Sequence, residues 1–148
     1  MSYKNENMKM IELHENGLDI QFRIRENGVV ELADFSSQEV KKAVMEPKGD
    51  ISYPAVEIHR SGTGSLNMHA YKNNINQSSV DFVYENHELK AQDGGKELEI
   101  VMVSPEKLKA VYHMRLFDGV PAVQTWTEII NEGSEDQGLT YVSSFMYQ

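Results

Sequence analysis

Cysteine is absent from the chain, and proline occurs four times and tryptophan once among 148 residues. Without cysteine no disulfide can staple the fold, so a hydrophobic core must hold it, and a reducing compartment is the natural setting. No apolar run approaches the ~18 residues that a membrane-spanning helix requires. The opening stretch Met1-Ser2-Tyr3-Lys4-Asn5-Glu6-Asn7 lacks the apolar segment of a secretory signal. A cytoplasmic location without membrane attachment is therefore expected. Positive charge is scarce too: 14 Lys and Arg stand against 23 Asp and Glu, a formal net charge of −9. Binding a phosphate backbone needs a basic face, so nucleic acid is not an expected partner, whereas a neutral substrate or a protein surface suits the chain. Nucleophile elbow, phosphate loop, HExxH pair and cysteine pair are all missing, so no catalytic residue and no cofactor are expected from motifs.

Apolar residues are plentiful, at 40% of the sequence, enough for the core of one domain spanning residues 1–148. Their spacing is that of strands. In Leu18-Asp19-Ile20-Gln21-Phe22-Arg23-Ile24-Arg25 the apolar residues share one face and the polar residues the other. Leu98, Ile100 and Met102 repeat the pattern, as do Leu108, Ala110, Tyr112, Met114 and Leu116. Asn16-Gly17, Asn27-Gly28, Asp93-Gly94 and Asp118-Gly119 supply the residues that tolerate positive φ in tight turns. Further strands are expected at Met10–His14, Val29–Phe35, Tyr53–His59 and Ser79–Leu89, with a short helical turn at Ser36–Lys42. At the end, Val123–Ile130 and Leu139–Phe145 read as a hairpin across a polar turn, leaving an apolar edge that a further element of a longer protein would cover. About nine short strands, no long helix and one long polar loop predict an all-β fold, an antiparallel β-sandwich, with a closed barrel as the other arrangement the pattern allows.

The residues with chemistry are dispersed. His14, His59, His69, His87 and His113 have no ligand partner at close spacing, so no metal site is expected unless distant strands bring three or four donors together. Asp19, Glu97 and Glu99 fall on outward faces, where solvated charge is the ordinary reading. Trp126 lies mid-strand in an apolar segment, which favours a core position over a sugar-stacking platform. Asn76-Gln77-Ser78 matches a glycosylation acceptor by spelling alone. The polar excursion from Arg60 to Gln77 holds Asn67, His69, Tyr71, Lys72, Asn73 and Asn74, a mixture of amides, an imidazole and an ammonium that suits a hydroxyl-rich ligand or a polar interface.

Several of these segments together resemble the N-terminal domain of the bacterial α-galactosidases of glycoside hydrolase family 36, the melibiase group. The resemblance runs through Leu98-Glu99-Ile100, Leu108 to Leu116, Gly119-Val120-Pro121-Ala122-Val123, Glu128-Ile129-Ile130-Asn131-Glu132-Gly133 and Gly138 to Phe145. The Asn16-Gly17 hairpin and the loop from His69 to Lys72 are similar as well. It implies a β-supersandwich that precedes a (β/α)8 barrel and a smaller C-terminal β-domain. In that family hydrolysis is retaining and uses two aspartates of the barrel, one of them in a Lys-Trp-Asp-type motif. Thr125 and Thr127 flank Trp126, so that motif is not here, and the segment alone is expected to lack glycosidase activity. The resemblance implies partners: the protein's own barrel domain, further copies in a homo-oligomer, and an α-galactoside substrate through the whole enzyme. His69 and Lys72 fit the basic and histidine pattern of the family's loop, while Leu66-Asn67-Met68 and Ala70-Tyr71 depart from it. Asn67, His69 and Lys72 are the candidate substrate-edge or subunit-interface residues. A free-standing carbohydrate-binding β-sandwich is the alternative.

Overall fold

The computed structural model describes residues 9–37, 52–64 and 76–147. Within them the fold is all-β and antiparallel, as the alternation predicts. Three strands, β1 (Lys9–Glu15), β2 (Leu18–Ile24) and β3 (Val30–Ser37), form one sheet in that order. Glu15 pairs directly with Leu18, and both turn residues between them are left-handed, Asn16 at φ 53° and Gly17 at φ 78°. This is the geometry that a two-residue type I′ hairpin demands, and it explains the Asn-Gly pair. Strands β5 (Val83–Gln92), β6 (Gly95–Val103), β7 (Leu108–Phe117) and β8 (Val120–Asn131) form a second, four-stranded meander. Gly95 is required at its tightest point: a Cβ there would lie 1.9 Å from the Leu116 carbonyl oxygen.

The two sheets close on one core. From the first come Ile11, Leu13, Leu18, Ile20, Phe22, Ile24, Val30 and Leu32, and from the second Leu98, Ile100, Met102, Leu108, Ala110, Tyr112, Met114 and Leu116. Phe22 and Tyr112 meet edge to face with centroids 5.7 Å apart. Phe22 is fully buried, a position worth ~1.5–3 kcal/mol for a ring of this kind. Burial pushes the Tyr112 phenol well above its ordinary pKa, against a smaller opposing effect of its hydrogen bond with Thr125, so the hydroxyl stays protonated.

The final hairpin is corrected. Leu139–Val142 forms β9, but its partner is β4 (Ile58–Arg60), not β8. β8 pairs instead with β7 along its length. Ser143 fixes the β4–β9 pairing: its backbone N–H donates to the Glu57 carbonyl at 2.8 Å, and its Oγ accepts from the Glu57 N–H at 2.7 Å. The Thr127 hydroxyl on β8 donates to the Ser143 carbonyl at 3.0 Å.

Two other strand expectations are shortened by side-chain hydrogen bonds that replace a ladder. In 53–59 only Ile58 and His59 are in a strand; the stretch before is tied by the buried Glu31 carboxylate, which accepts from the Tyr53 N–H at 2.9 Å and pairs with Arg23 and Arg25, each at 3.4 Å. In 79–89 the strand starts only at Val83, after a helical turn α1 (Gln77–Val80). The Ile58 N–H donates to Ser79 Oγ, the Arg60 N–H donates to Ser78 Oγ, and both hydroxyls donate back to the Ile58 carbonyl. Those serines occupy the edge of β4 that another strand would need. Ser36 and Ser37 belong to β3; the rest of the expected helical turn, 38–42, lies outside the described residues.

Candidate functional site

The pleat that sends Leu98, Ile100, Tyr112 and Met114 inward sends their neighbours outward. The outward face of the four-stranded sheet therefore carries Glu97 and Glu99 from β6, His113 from β7, and Trp126 and Glu128 from β8. Register does the assembling: Glu99 lies opposite His113, and His113 lies opposite Trp126. The His113 Nδ1 is 2.9 Å from Glu97 Oε1 and 3.8 Å from Glu99 Oε1, and its Nε2 is 3.2 Å from Glu128 Oε2. The imidazole also stacks on the Trp126 indole, with centroids 4.6 Å apart and planes within 5°. His113 and Glu97 are each only 6% exposed. Glu97 is thus an outward residue but not a solvated one, because the stacked rings and long side chains around it cover the sheet face.

Trp126 is corrected in the same way. It is half-buried on the outward face and is not a core residue. The β8 residues that pack toward the core are Val123 and Ile129, three positions to either side, which places Trp126 on the other side of the pleat. Around the cluster the charges are ordered. Lys90 Nζ is 2.6 Å from Glu99 Oε2, and this hydrogen bond holds the ammonium above its ordinary pKa. Arg115 donates to the Asp93 carbonyl at 3.1 Å and lies over the Phe117 ring. One nitrogen of His113 and one oxygen each of Glu97 and Glu99 lie within 4.8 Å of one another. That set of nitrogen and oxygen donors is of the kind that holds a divalent ion. Distant strands do here what close sequence spacing does not, and turn positions alone do not reveal it: counting back from Asp118-Gly119 sets Gln124 opposite His113, whereas the bulge between Leu116 and Phe117 shifts the register and brings Trp126 there.

Asn67, His69 and Lys72 lie outside the described residues, as do Tyr71, Asn73 and Asn74. The two ends of their loop are described and lie together: the Gln77 N–H donates to the Gly64 carbonyl at 3.1 Å, and the Thr63 hydroxyl to Asn76 Oδ1 at 3.0 Å. The same Asn76 oxygen caps α1 by accepting from the Ser78 N–H at 3.0 Å. Asn76 is therefore a helix cap and a loop clasp. A second small cluster joins the sheets, where Lys9 Nζ donates to the Tyr84 hydroxyl at 2.7 Å and that hydroxyl is 2.9 Å from His87 Nδ1. Burial, then the Lys9 charge, lowers the His87 pKa, which favours a neutral imidazole able to accept a hydrogen bond from the tyrosine hydroxyl.

No family model matches the sequence, and no curated protein matches it. Solved structures do match in fold. The GH36 alpha-galactosidase AgaA from Geobacillus stearothermophilus superposes with a TM-score of 0.54 at 14% identity, over 86% of this chain and 23% of that one. A double variant of that enzyme in complex with raffinose gives the same TM-score at 11% identity, over 84% of this chain and 22% of that one. The chain thus spans less than a quarter of the length of the structures it matches, and at these identities the likeness is one of fold: this all-β sandwich is similar to a domain present in a GH36 alpha-galactosidase.

Proposed function

We propose that the chain is the non-catalytic N-terminal domain of an α-galactosidase-like retaining glycoside hydrolase of the cytoplasm. The observation that carries this reading is the superposition of 86% of the chain on 23% of an alpha-galactosidase. The resemblance of Gly94 to Phe145 to the same family supports it by a separate route, through side chains and not backbone shape. On this reading the two catalytic carboxylates belong to a barrel domain and the α-galactoside is the substrate of the whole enzyme. The domain packs on that barrel, helps a homo-oligomer assemble, and brings Asn67, His69 and Lys72 to a subunit interface or to the edge of the substrate site. A surface to be covered is available: Leu139, Tyr141, Phe145 and Tyr147 are each more than 40% exposed around β9.

The test is to express the chain alone and joined to whatever its gene encodes after Gln148, and to assay both on aryl α-galactosides. The longer product is expected to hydrolyse them and the chain alone to be inert. A stop codon directly after Gln148, or a longer product inert on α-galactosides, overturns the reading. The alternative of a free-standing carbohydrate-binding module draws on the half-exposed Trp126. Saturable change in its fluorescence when galactosides are added to the chain alone would favour that alternative.

A further inference from the structure

We infer that His113, Glu97 and Glu99 form a binding site for a divalent transition-metal ion of the zinc class, with Glu128 and Lys90 orienting the ligands. The inference stands apart from the proposed function. It starts from a conflict of lone pairs. A neutral imidazole has one N–H for two carboxylates, Glu97 at 2.9 Å from Nδ1 and Glu128 at 3.2 Å from Nε2, and the metal-binding tautomer is the one that gives it to Glu128. The Nδ1 lone pair then faces Glu97 Oε1 at 2.9 Å and Glu99 Oε1 at 3.8 Å. Three electron-rich atoms converge where little water reaches, since His113 and Glu97 are each 6% exposed. Lys90 already balances the far oxygen of Glu99, and a positive charge placed among the three facing atoms relieves the repulsion that is left. A proton on Nδ1 satisfies Glu97 alone. A metal ion at ~2.0–2.2 Å from each donor serves all three, because tetrahedral ligation at that radius sets its ligands roughly 3.4 Å apart.

Two further contacts fit the same reading. Metal-bound histidine ordinarily donates its second N–H to a carboxylate, and metal-bound carboxylates are themselves hydrogen-bonded. Glu128 stands in the first role. Lys90 stands in the second, at 2.6 Å from the Glu99 oxygen that points away from His113. The Trp126 stack fixes the imidazole plane, so the ligand is oriented before an ion arrives. Three protein donors leave a fourth position open to water or to a partner's side chain. The Lys90 and Arg115 charges nearby oppose the ion, so the affinity will be below that of a closed structural zinc site.

The experiment uses the chelator-treated chain with Zn2+ in calorimetry and Co2+ in a Trp126 fluorescence titration. Because the stacked indole is the chain's one tryptophan, a paramagnetic ion on the imidazole will quench the whole tryptophan signal. We expect one Zn2+ per chain and saturable quenching by Co2+. Glu99→Gln and His113→Gln are expected to lose at least tenfold in affinity, and Glu128→Ala, which removes only the orienting contact, about tenfold or more. His14→Ala, at the exposed His14–Asp19 pair, is expected to change nothing. Glu99 is the less buried ligand, so its variant keeps the test usable if the His113 variant does not fold. No saturable Zn2+ uptake, or uptake and quenching that persist unaltered in Glu99→Gln, overturns the inference and leaves His113 as a hydrogen-bonded link between Glu97 and Glu128.

Discussion

His14 and His87 are two histidines of the same sandwich whose protonation works in opposite directions. The hydrogen bond to Asp19, at 2.6 Å, raises the His14 pKa, while burial and then Lys9 lower that of His87. A raised folded-state value means that the folded chain holds the proton more tightly than the unfolded one. The His14 contribution is therefore complete below ~6.5 and is lost as pH rises through its raised value. The His87 contribution has the reverse sign: it is present above ~6.5 and is lost as pH falls through its lowered value. Melting temperatures measured from about pH 5 to 8 should show the wild-type advantage over His14→Ala shrinking with pH and that over His87→Ala growing. Parallel curves for the three chains would contradict this. Neither environment was legible in the sequence. Asp19 lies five residues from His14 but reaches it only through the I′ turn, and Lys9 reaches Tyr84 and His87 across two sheets. Residue identity gave the donors and acceptors; the partners come from register.

Among the strands, legibility followed burial. Where one face packs into the core and the other is mostly polar, as in Leu18–Ile24 and Leu108–Leu116, period-two alternation placed the strand and its inward residues, and every inward residue of those two is buried. Where the backbone hydrogen bonds go to side chains, alternation had nothing to report, as in Tyr53–Glu57 beside Glu31 and Gln77–Val80 under the two serines. The pairing of β9 with β4 was hidden for another reason: nothing local distinguishes a nearby partner strand from one 81 residues away, the separation of His59 and Thr140 at their own contact. Ser143 carries that pairing. Ser143→Ala leaves the buried Glu57 N–H without its acceptor, at a cost of about 1–3 kcal/mol, read as a lower urea midpoint at unchanged slope. Thr140→Ala removes only the exposed 3.3 Å contact with the His59 carbonyl and is expected to stay within about 0.5 kcal/mol of wild type. Equal effects of the two would mean that the Ser143 hydroxyl does not hold the strand. The outward cluster around His113 was legible only in its parts, since spacing within one strand says nothing about a neighbour's side chains.

For the whole molecule, the core joins residues far apart in the chain: Phe22 on β2 rests against Tyr112 on β7. Such non-local packing forms late and makes folding slow, on the order of milliseconds to seconds for all-β domains. The last part of the chain adds a different property. β8 grips the four-stranded sheet through β7, and β9 grips a separate sheet through β4. The segment from Gly119 onward is in effect a bivalent ligand of the remainder, its two sites linked by a short tether. Once one strand is seated, the other rebinds at the high effective concentration that tether imposes. Divided between Asp118 and Gly119, the chain should reassemble from its two pieces. The piece carrying both strands should bind roughly 10²-fold or more tightly than one with the β9 residues scrambled, as Trp126 fluorescence will report; equal affinities would show that β9 adds no second hold. The end of this domain is thus fastened by avidity, and loosening either strand leaves the other in place to guide it back.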